Sequence, residues 1–566
     1  MNNKLGTELQ IAINTPVDIR QKSLDLNTGF NDNDDKWTLI VRYVGDLLKI
    51  LEDYNITGEE LLGEFAIVMI DFNQLTKFSE DPRIIFIEKP KVFIQERSTI
   101  NGFVSSCMSV PYFDMELRGR GVTVAVIDSG IDIYHPDFYV YNDDFKQSKI
   151  IGLWDQSLTG NPPSGYIDGS FFSREDINMY LNSTSNFGSI DITGHGTAVT
   201  GIVTACTPEA DLLIVKLDTS NTNQVDTINL MKGIDFSVRY SRDNNIPMVI
   251  NLSYGNNSGD HNGNSIIERY IDVVANLSKV TIVVGAGNDG VSGRHIQINM
   301  GNDSFYRKDF QVSQGEVSIY IQIWRENTDF VDVFLETPSG KSIGPFNNYN
   351  ELMTYVVDNM DFRILNNGPN PLNTKIETYI SIIALEEFVE EGIWSLVFNP
   401  KSIVKGRVDV WLPVEGSTNT DIYFLNPTAT TTITIPSSTQ NVITVGAYDS
   451  NNLTYASFSG RGYTVDGLIK PDLVAPGVDI DTALVGGGYT LVTGTSFATP
   501  FVSSASVMLM EYGIIRGNDA FLYGEKVKAY LIKGAKRILE FGDVPNDRVG
   551  WGALCVKIVY PKMVNY

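Results

Sequence analysis

The strongest constraint on the fold is a set of short, near-continuous apolar runs that alternate with helical stretches. Val122-Thr-Val-Ala-Val-Ile127, Leu212-Leu-Ile-Val-Lys216, Met248-Val-Ile250 and Val280-Thr-Ile-Val-Val284 are rich in β-branched residues and show no polar face. A strand with one wet side alternates with period two, whereas a strand that is apolar throughout must be covered on both sides. Helices on the two faces of a parallel sheet supply that cover, so residues 97–300 read as a doubly wound α/β unit. Residues 427–566 return to buried strands and end in helical segments.

The remaining zones follow other periods. Between residues 301 and 426, Val317-Ser-Ile-Tyr-Ile-Gln-Ile-Trp324, Val331-Asp-Val-Phe-Leu-Glu336, Trp394-Ser-Leu-Val-Phe398 and Val408-Asp-Val-Trp-Leu412 alternate with period two between turn-rich linkers. That pattern predicts antiparallel strands in a β-sandwich or jelly roll. An α/β unit interrupted by this insertion explains the order better than three consecutive domains. In residues 1–96, strand-like runs Trp37-Thr-Leu-Ile-Val-Arg-Tyr43, Phe65-Ala-Ile-Val-Met-Ile70 and Ile84-Ile-Phe-Ile-Glu88 flank a helical pattern over residues 46–54, which predicts a small α+β domain.

Composition excludes several function classes. With 43 Lys and Arg against 68 Asp and Glu, the net charge of −25 disfavours nucleic acid and anionic lipid as partners. Cys107, Cys206 and Cys555 are distant from one another and odd in number, so no disulfide framework is expected and no C-x-x-C pair suggests zinc. The four histidines are scattered, and no metal site or cofactor is implied. No run of about 18 apolar residues offers a membrane span. The N-terminus Met-Asn-Asn-Lys-Leu-Gly-Thr-Glu lacks a secretory pattern, so the chain reads as made in the cytoplasm and retained in a cell.

Three segments carry candidate chemistry. Val124-Ala-Val-Ile-Asp128-Ser-Gly-Ile131 places a carboxylate at a buried strand's end. Gly194-His195-Gly-Thr-Ala-Val-Thr-Gly-Ile202 opens a small-residue helix with histidine. Thr493-Gly-Thr-Ser496-Phe-Ala-Thr-Pro500 sets a serine at a strand-to-helix turn. Singly, these are a turn aspartate, a structural histidine and a helix-cap serine. Jointly, they are the three groups that acyl transfer by serine requires: a nucleophile, an imidazole base and a carboxylate that orients the base. Val283-Val-Gly-Ala-Gly-Asn288-Asp-Gly adds an amide on a tight glycine loop, able with the Ser496 backbone N–H to hold an oxyanion. The order Asp128, His195, Ser496 is that of the subtilisin-type triad.

On these segments, with Pro208-Glu-Ala-Asp-Leu-Leu-Ile-Val-Lys216 and Lys470-Pro-Asp-Leu-Val-Ala-Pro-Gly477, the sequence resembles the subtilisin-like serine peptidases. The resemblance covers residues 97–300 and 427–566 and implies a catalytic triad of Asp128, His195 and Ser496 with Asn288 in the oxyanion hole. It further implies a substrate-binding strand containing Ser253, Tyr254 and Gly255, with Gly285, Ala286 and Gly287 as pocket walls. Residues 1–96 become a ferredoxin-like propeptide, with Lys91-Val-Phe-Ile-Gln-Glu-Arg97 threading the active site and autocleavage following Gln95 or Glu96. His135 in His-Pro-Asp-Phe138 reads as structural, and His261 and His295 read as solvated loop residues. Gly486-Gly-Gly488 reads as a flexible turn, and Asn142-Asp-Asp144 as solvated surface.

A narrower resemblance is to the clostridial Csp spore-germination proteases, carried by the insertion between Asn288 and Ser496 and by Ser105-Ser-Cys-Met-Ser-Val110 and Asn251-Leu-Ser-Tyr-Gly-Asn-Asn-Ser258. It implies a zymogen deposited in the spore, whose partners are its own propeptide and the pro-form of a cortex hydrolase activated by limited proteolysis. Some members of that group have lost triad residues and act as pseudoproteases, so a catalytically silent subtilase-fold scaffold or regulatory pseudoprotease is the alternative.

Overall fold

A computed structural model describes residues 3–31, 33–95, 117–219, 224–302 and 304–559. Its centre is a nine-stranded sheet in which Ile150–Asp155, Asp211–Lys216, Thr123–Asp128, Met248–Leu252, Val280–Gly285, Ile443–Asp449 and Leu473–Pro476 run parallel, in that spatial order. Ser170–Ser173 pairs antiparallel at one edge. The expected two-sided burial is met: every residue of Thr123–Asp128 is buried. Val124 and Val126 face the helices His195–Cys206 and Thr495–Met510, while Ala125 and Ile127 face Thr227–Asp243 and Ile266–Val274. Each such Val or Ile side chain contributes about 1.5–3 kcal/mol on burial.

The topology fixes where a site can form. Thr123–Asp128 lies between Asp211–Lys216 and Met248–Leu252, so successive crossovers depart from it in opposite directions. The carboxyl ends of strands at such a switch point border a crevice. Asp128 is the last residue of that strand.

The N-terminal unit has the order strand Lys36–Tyr43, helix Leu47–Tyr54, strands Thr57–Leu61 and Phe65–Asp71, helix Phe72–Glu80, strand Ile84–Glu88. Its antiparallel sheet runs Ile84–Glu88, Lys36–Tyr43, Phe65–Asp71, Thr57–Leu61. Asp46 and Asp71 cap the two helices through the backbone N–H groups of Lys49 and Gln74, and Asn55 ends the first in the left-handed conformation. One face of the unit meets the helices at 227–243 and 266–274. There Phe65 packs edge-on to Tyr270 at 5.3 Å, the Leu62 N–H donates to Asp235 at 2.7 Å, and Lys232 pairs with Glu59.

Residues 295–424 form two antiparallel sheets that share one apolar core. The six-stranded sheet contributes Ile321, Ile323, Ile380 and Ile382, and the five-stranded sheet Val333, Leu335, Leu396 and Phe398. This insertion also touches the N-terminal unit, because Leu365, Tyr379 and Ile383 pack with Leu9, Trp37 and Leu39. Buried Glu8 stands at the three-way junction, accepting from Ser258 Oγ at 2.8 Å and Gln322 Nε2 at 3.2 Å, with Lys89 Nζ at 3.5 Å and Lys91 Nζ at 3.6 Å.

One expectation is corrected. His261 and His295 are not solvated: both are buried and stack on one indole, Trp411, at 4.2 and 4.7 Å between ring centres. Burial pushes the His261 imidazole down to about 4, and so keeps it neutral. Cys555 is disulfide-bonded and Cys206 is a free thiol. Gly486–Gly488 forms the turn between the paired strands Ile480–Ala483 and Tyr489–Val492, where the buried His135 holds the Gly488 carbonyl at 2.8 Å through Nε2. Among the described residues no helix is long and apolar enough to cross a membrane.

Candidate active site

Asp128 and His195 are brought together by backbone rules. Gly194 adopts the left-handed conformation (φ +73°) that starts the helix His195–Cys206, and a Cβ on Gly196 would stand 2.2 Å from the Gly130 carbonyl. Only glycine allows the helix to approach the loop after Asp128 this closely. His195 Nδ1 then lies 2.7 Å from Asp128 Oδ1, the same oxygen that accepts from the Ser129 N–H at 2.7 Å. Both side chains are buried. A carboxylate on Nδ1 selects the tautomer protonated there and leaves the lone pair on Nε2. That Nε2 has no partner among the described residues.

Asp191 was not singled out from the sequence, yet it holds these two segments in register. Its buried carboxylate accepts from Ser129 Oγ at 2.8 Å, Gly194 N at 3.0 Å, Thr197 N at 2.8 Å and Thr197 Oγ1 at 2.7 Å. The Ser129 hydroxyl in turn accepts from the Gly196 N–H at 3.0 Å. The available signal was an acidic residue just ahead of a helix, where orphan N–H groups seek an acceptor.

Ser496 is the second residue of the fully buried helix Thr495–Met510, so its backbone N–H is among those without an intrahelical acceptor. Pro500 lacks the N–H that would bond the Ser496 carbonyl, which instead accepts from Ser253 Oγ at 3.4 Å. The Ser496 hydroxyl donates to the Ser253 carbonyl, also at 3.4 Å, rather than to His195. At that length it is weakly held. The next residue, Phe497, packs against the His195 ring at 5.2 Å, which brings the start of this helix beside His195, with no hydrogen bond between Ser496 and His195. Serine–imidazole bonds often tighten only with substrate in place.

Asn288 follows the strand Val280–Gly285. Its Oδ1 accepts from the Thr495 N–H at 3.1 Å and the Thr495 hydroxyl at 3.0 Å. Because the backbone N–H can only donate, the amide orientation is fixed, and Nδ2 is left buried with no partner among the described residues. A free, oriented donor beside a helix N-terminus can stabilise a developing oxyanion.

The cleft is occupied by the chain itself. Val92–Gln95 is the middle strand of a three-stranded sheet, antiparallel to Val225–Asp226 and to Tyr254–Gly255. Ile94 lies opposite Gly255 and Gln95 opposite Tyr254. The Gln95 amide donates to the Tyr254 hydroxyl at 3.0 Å and to Thr193 Oγ1 at 3.2 Å. Glu96 lies outside the described residues. Gly285, Ala286 and Gly287 continue from the neighbouring strand: the Ala286 N–H donates to the Val445 carbonyl at 2.9 Å. Gly287, at φ +87°, has Thr434 where a Cβ would go. The Asn142-Asp-Asp144 segment is the exposed turn of the hairpin Tyr139–Asn142 and Phe145–Ser148.

Comparison with known proteins identifies the family. A family model described as the subtilase family matches residues 119–318 and 400–552, and one described as the Csp protease B prodomain matches residues 3–91. The solved structure of the Clostridium perfringens CspB protease superposes with a TM-score of 0.76 at 33% identity, covering 81% of this chain and 96% of that one. PIII-type proteinase of Lactococcus lactis subsp. cremoris (strain SK11) is 24% identical over 456 residues, 73% of this chain. Serine protease AprX of Bacillus subtilis (strain 168) is 39% identical over 100 residues, 14% of this chain. The chain spans 23% of the length of each of these two curated relatives.

Proposed function

Since the chain belongs to the subtilase family, and is a subtilisin-like serine peptidase with an N-terminal prodomain, we propose that it is an endopeptidase that cleaves its own prodomain and then activates a protein precursor by limited proteolysis. The precursor we assign is the pro-form of a spore cortex-lytic enzyme, in keeping with the likeness to CspB. In this reading residues 1–96 are the propeptide, 97–300 and 427–566 the two parts of the catalytic domain, and 301–426 an inserted jelly roll.

The Ser496 hydroxyl rotates from the Ser253 carbonyl toward His195 and attacks the substrate carbonyl as Nε2 takes its proton. Asp128 keeps Nδ1 protonated and stabilises the imidazolium. The oxyanion is held by Asn288 Nδ2–H and the Ser496 N–H, each such donor lowering the barrier by about 3–4 kcal/mol. Collapse of the tetrahedral intermediate expels the amine, which leaves with the proton from Nε2, and water then hydrolyses the acyl-enzyme by the same steps in reverse. Tyr254 and Gly255 pair with the extended substrate by β-augmentation. Ser253 and the Gly285-Ala286-Gly287 segment flank the pocket for the residue before the scissile bond.

The observation that carries this reading is the strand Val92–Gln95, seated between Val225–Asp226 and Tyr254–Gly255. Ser253, which precedes Tyr254 opposite Gln95, is bonded to Ser496. We place the cut after Gln95 or Glu96. Intact-mass and N-terminal analysis of the purified chain should find a new terminus at residue 96 or 97, and a terminus outside 94–99 rejects the assignment. One feature favours a second reading, a silent scaffold: the Ser496 hydroxyl rests on a carbonyl and not on His195. A chain that stays uncut would support it.

A further inference from the structure

Asn288 is followed by a carboxylate that the proposed chemistry does not use. Asp289 is 3% exposed. Its Oδ2 accepts from Asn257 Nδ2 at 2.6 Å and its Oδ1 from the Glu415 backbone N–H at 3.3 Å. Asn257 lies two residues past Gly255 on the substrate-binding side. Glu415 lies just past Arg407–Trp411, a strand of the insertion's six-stranded sheet. Burial pushes the Asp289 carboxyl up to about 6, and the Arg294 guanidinium, one residue before the insertion's first strand, pulls it the other way. A buried carboxylate is costly unless its acceptors are filled, and here each oxygen is filled from a different part of the chain.

The contacts around Asp289 have the same character. His261 Nε2 lies 3.2 Å from the Asn257 carbonyl, and its ring stacks on Trp411 of the insertion, which stacks on His295 at the insertion's first strand. On its other side the Asn288 loop is packed to the limit: a Cβ on Gly290 would fall 2.2 Å from the Ser459 carbonyl. Asn288 itself is tied to Thr495. The loop is thus fastened to the nucleophile helix through Asn288 and to the insertion through Asp289.

We propose that Asp289 is a positioning residue that couples the oxyanion loop to the inserted β-sandwich, so that the insertion sets the placement of the Asn288 amide. This rests on the reading of Asn288 given above. An oxyanion donor acts only when aimed at the position the oxygen takes in the transition state, and a displacement of about 1 Å can cost about 100-fold. Substrate pairing along Tyr254–Gly255 does not depend on that aim, so the effect belongs in kcat and not in KM.

The test uses the self-processed chain and an internally quenched peptide of residues 91–99. Asp289→Ala should lower kcat by about tenfold or more with KM within about threefold, and Asp289→Asn should recover most of the loss. In an Asn288→Ala background, Asp289→Ala should cost less than about threefold further, because the donor it positions is gone. Additive losses, or an unchanged kcat in Asp289→Ala, overturn the proposal. A second readout is independent of activity: in full-length Ser496→Ala, adding Asp289→Ala should raise amide hydrogen exchange in 285–292 and in 411–416 together. Faster exchange in only one of the two segments, or in neither, overturns the coupling. A wild-type chain that cleaves nothing while both segments loosen would defeat the peptidase reading and leave the coupling standing.

Discussion

Ser496→Ala should leave the chain at full length and lower peptide hydrolysis by about 10⁶ in kcat, the scale on which triad serines act. The loss is expected to be chemical and not structural. The Ser496 hydroxyl makes one long bond, 3.4 Å to the Ser253 carbonyl, and alanine is the better helix former. The thermal midpoint should therefore hold. The prodomain should remain covalently attached, its Val92–Gln95 strand still paired with Tyr254–Gly255. A variant that still acquires a new N-terminus in a preparation free of other proteases would contradict the assignment of Ser496. Electrophoresis and intact mass distinguish the outcomes within one expression experiment.

Asp128→Ala should lower kcat by about 10⁴ and change KM little. Asp128 Oδ1 is the acceptor that His195 Nδ1 faces, and without it the imidazole loses both its orientation and the charge that stabilises the imidazolium. The Ser129–Asp191 bridge would still hold the start of the histidine helix, so the fold around His195 should persist. Steady-state kinetics on the peptide of residues 91–99 separates the two constants. A variant with wild-type kcat would show that Asp128 does not orient or charge-stabilise His195.

Much of the fold was legible because its signals are local. Apolar runs such as Val122–Ile127 admit few environments, and the structure buries them on both faces of a parallel sheet. The period-two runs of the insertion likewise appear as paired antiparallel strands. The motifs around Asp128, His195, Asn288 and Ser496 were visible for the same reason, since glycine and small residues mark close approach wherever they occur. What escaped depends on distant partners. His261 sits in a polar, glycine-rich loop that resembles solvated chain, yet Trp411, 150 positions later, covers it. The role of Asp191 needs Ser129 opposite it, and that of Asp289 needs Glu415, pairings that no local pattern encodes.

The central claim is that Ser496 is a nucleophile activated by His195. Its most direct test is covalent labelling of the processed chain with an organofluorophosphate, followed by peptide mass mapping. The account predicts one stoichiometric adduct on Ser496 that disappears in His195→Ala. Stoichiometric adduct formation at another serine, or none at Ser496 in a correctly folded wild-type chain, would contradict it.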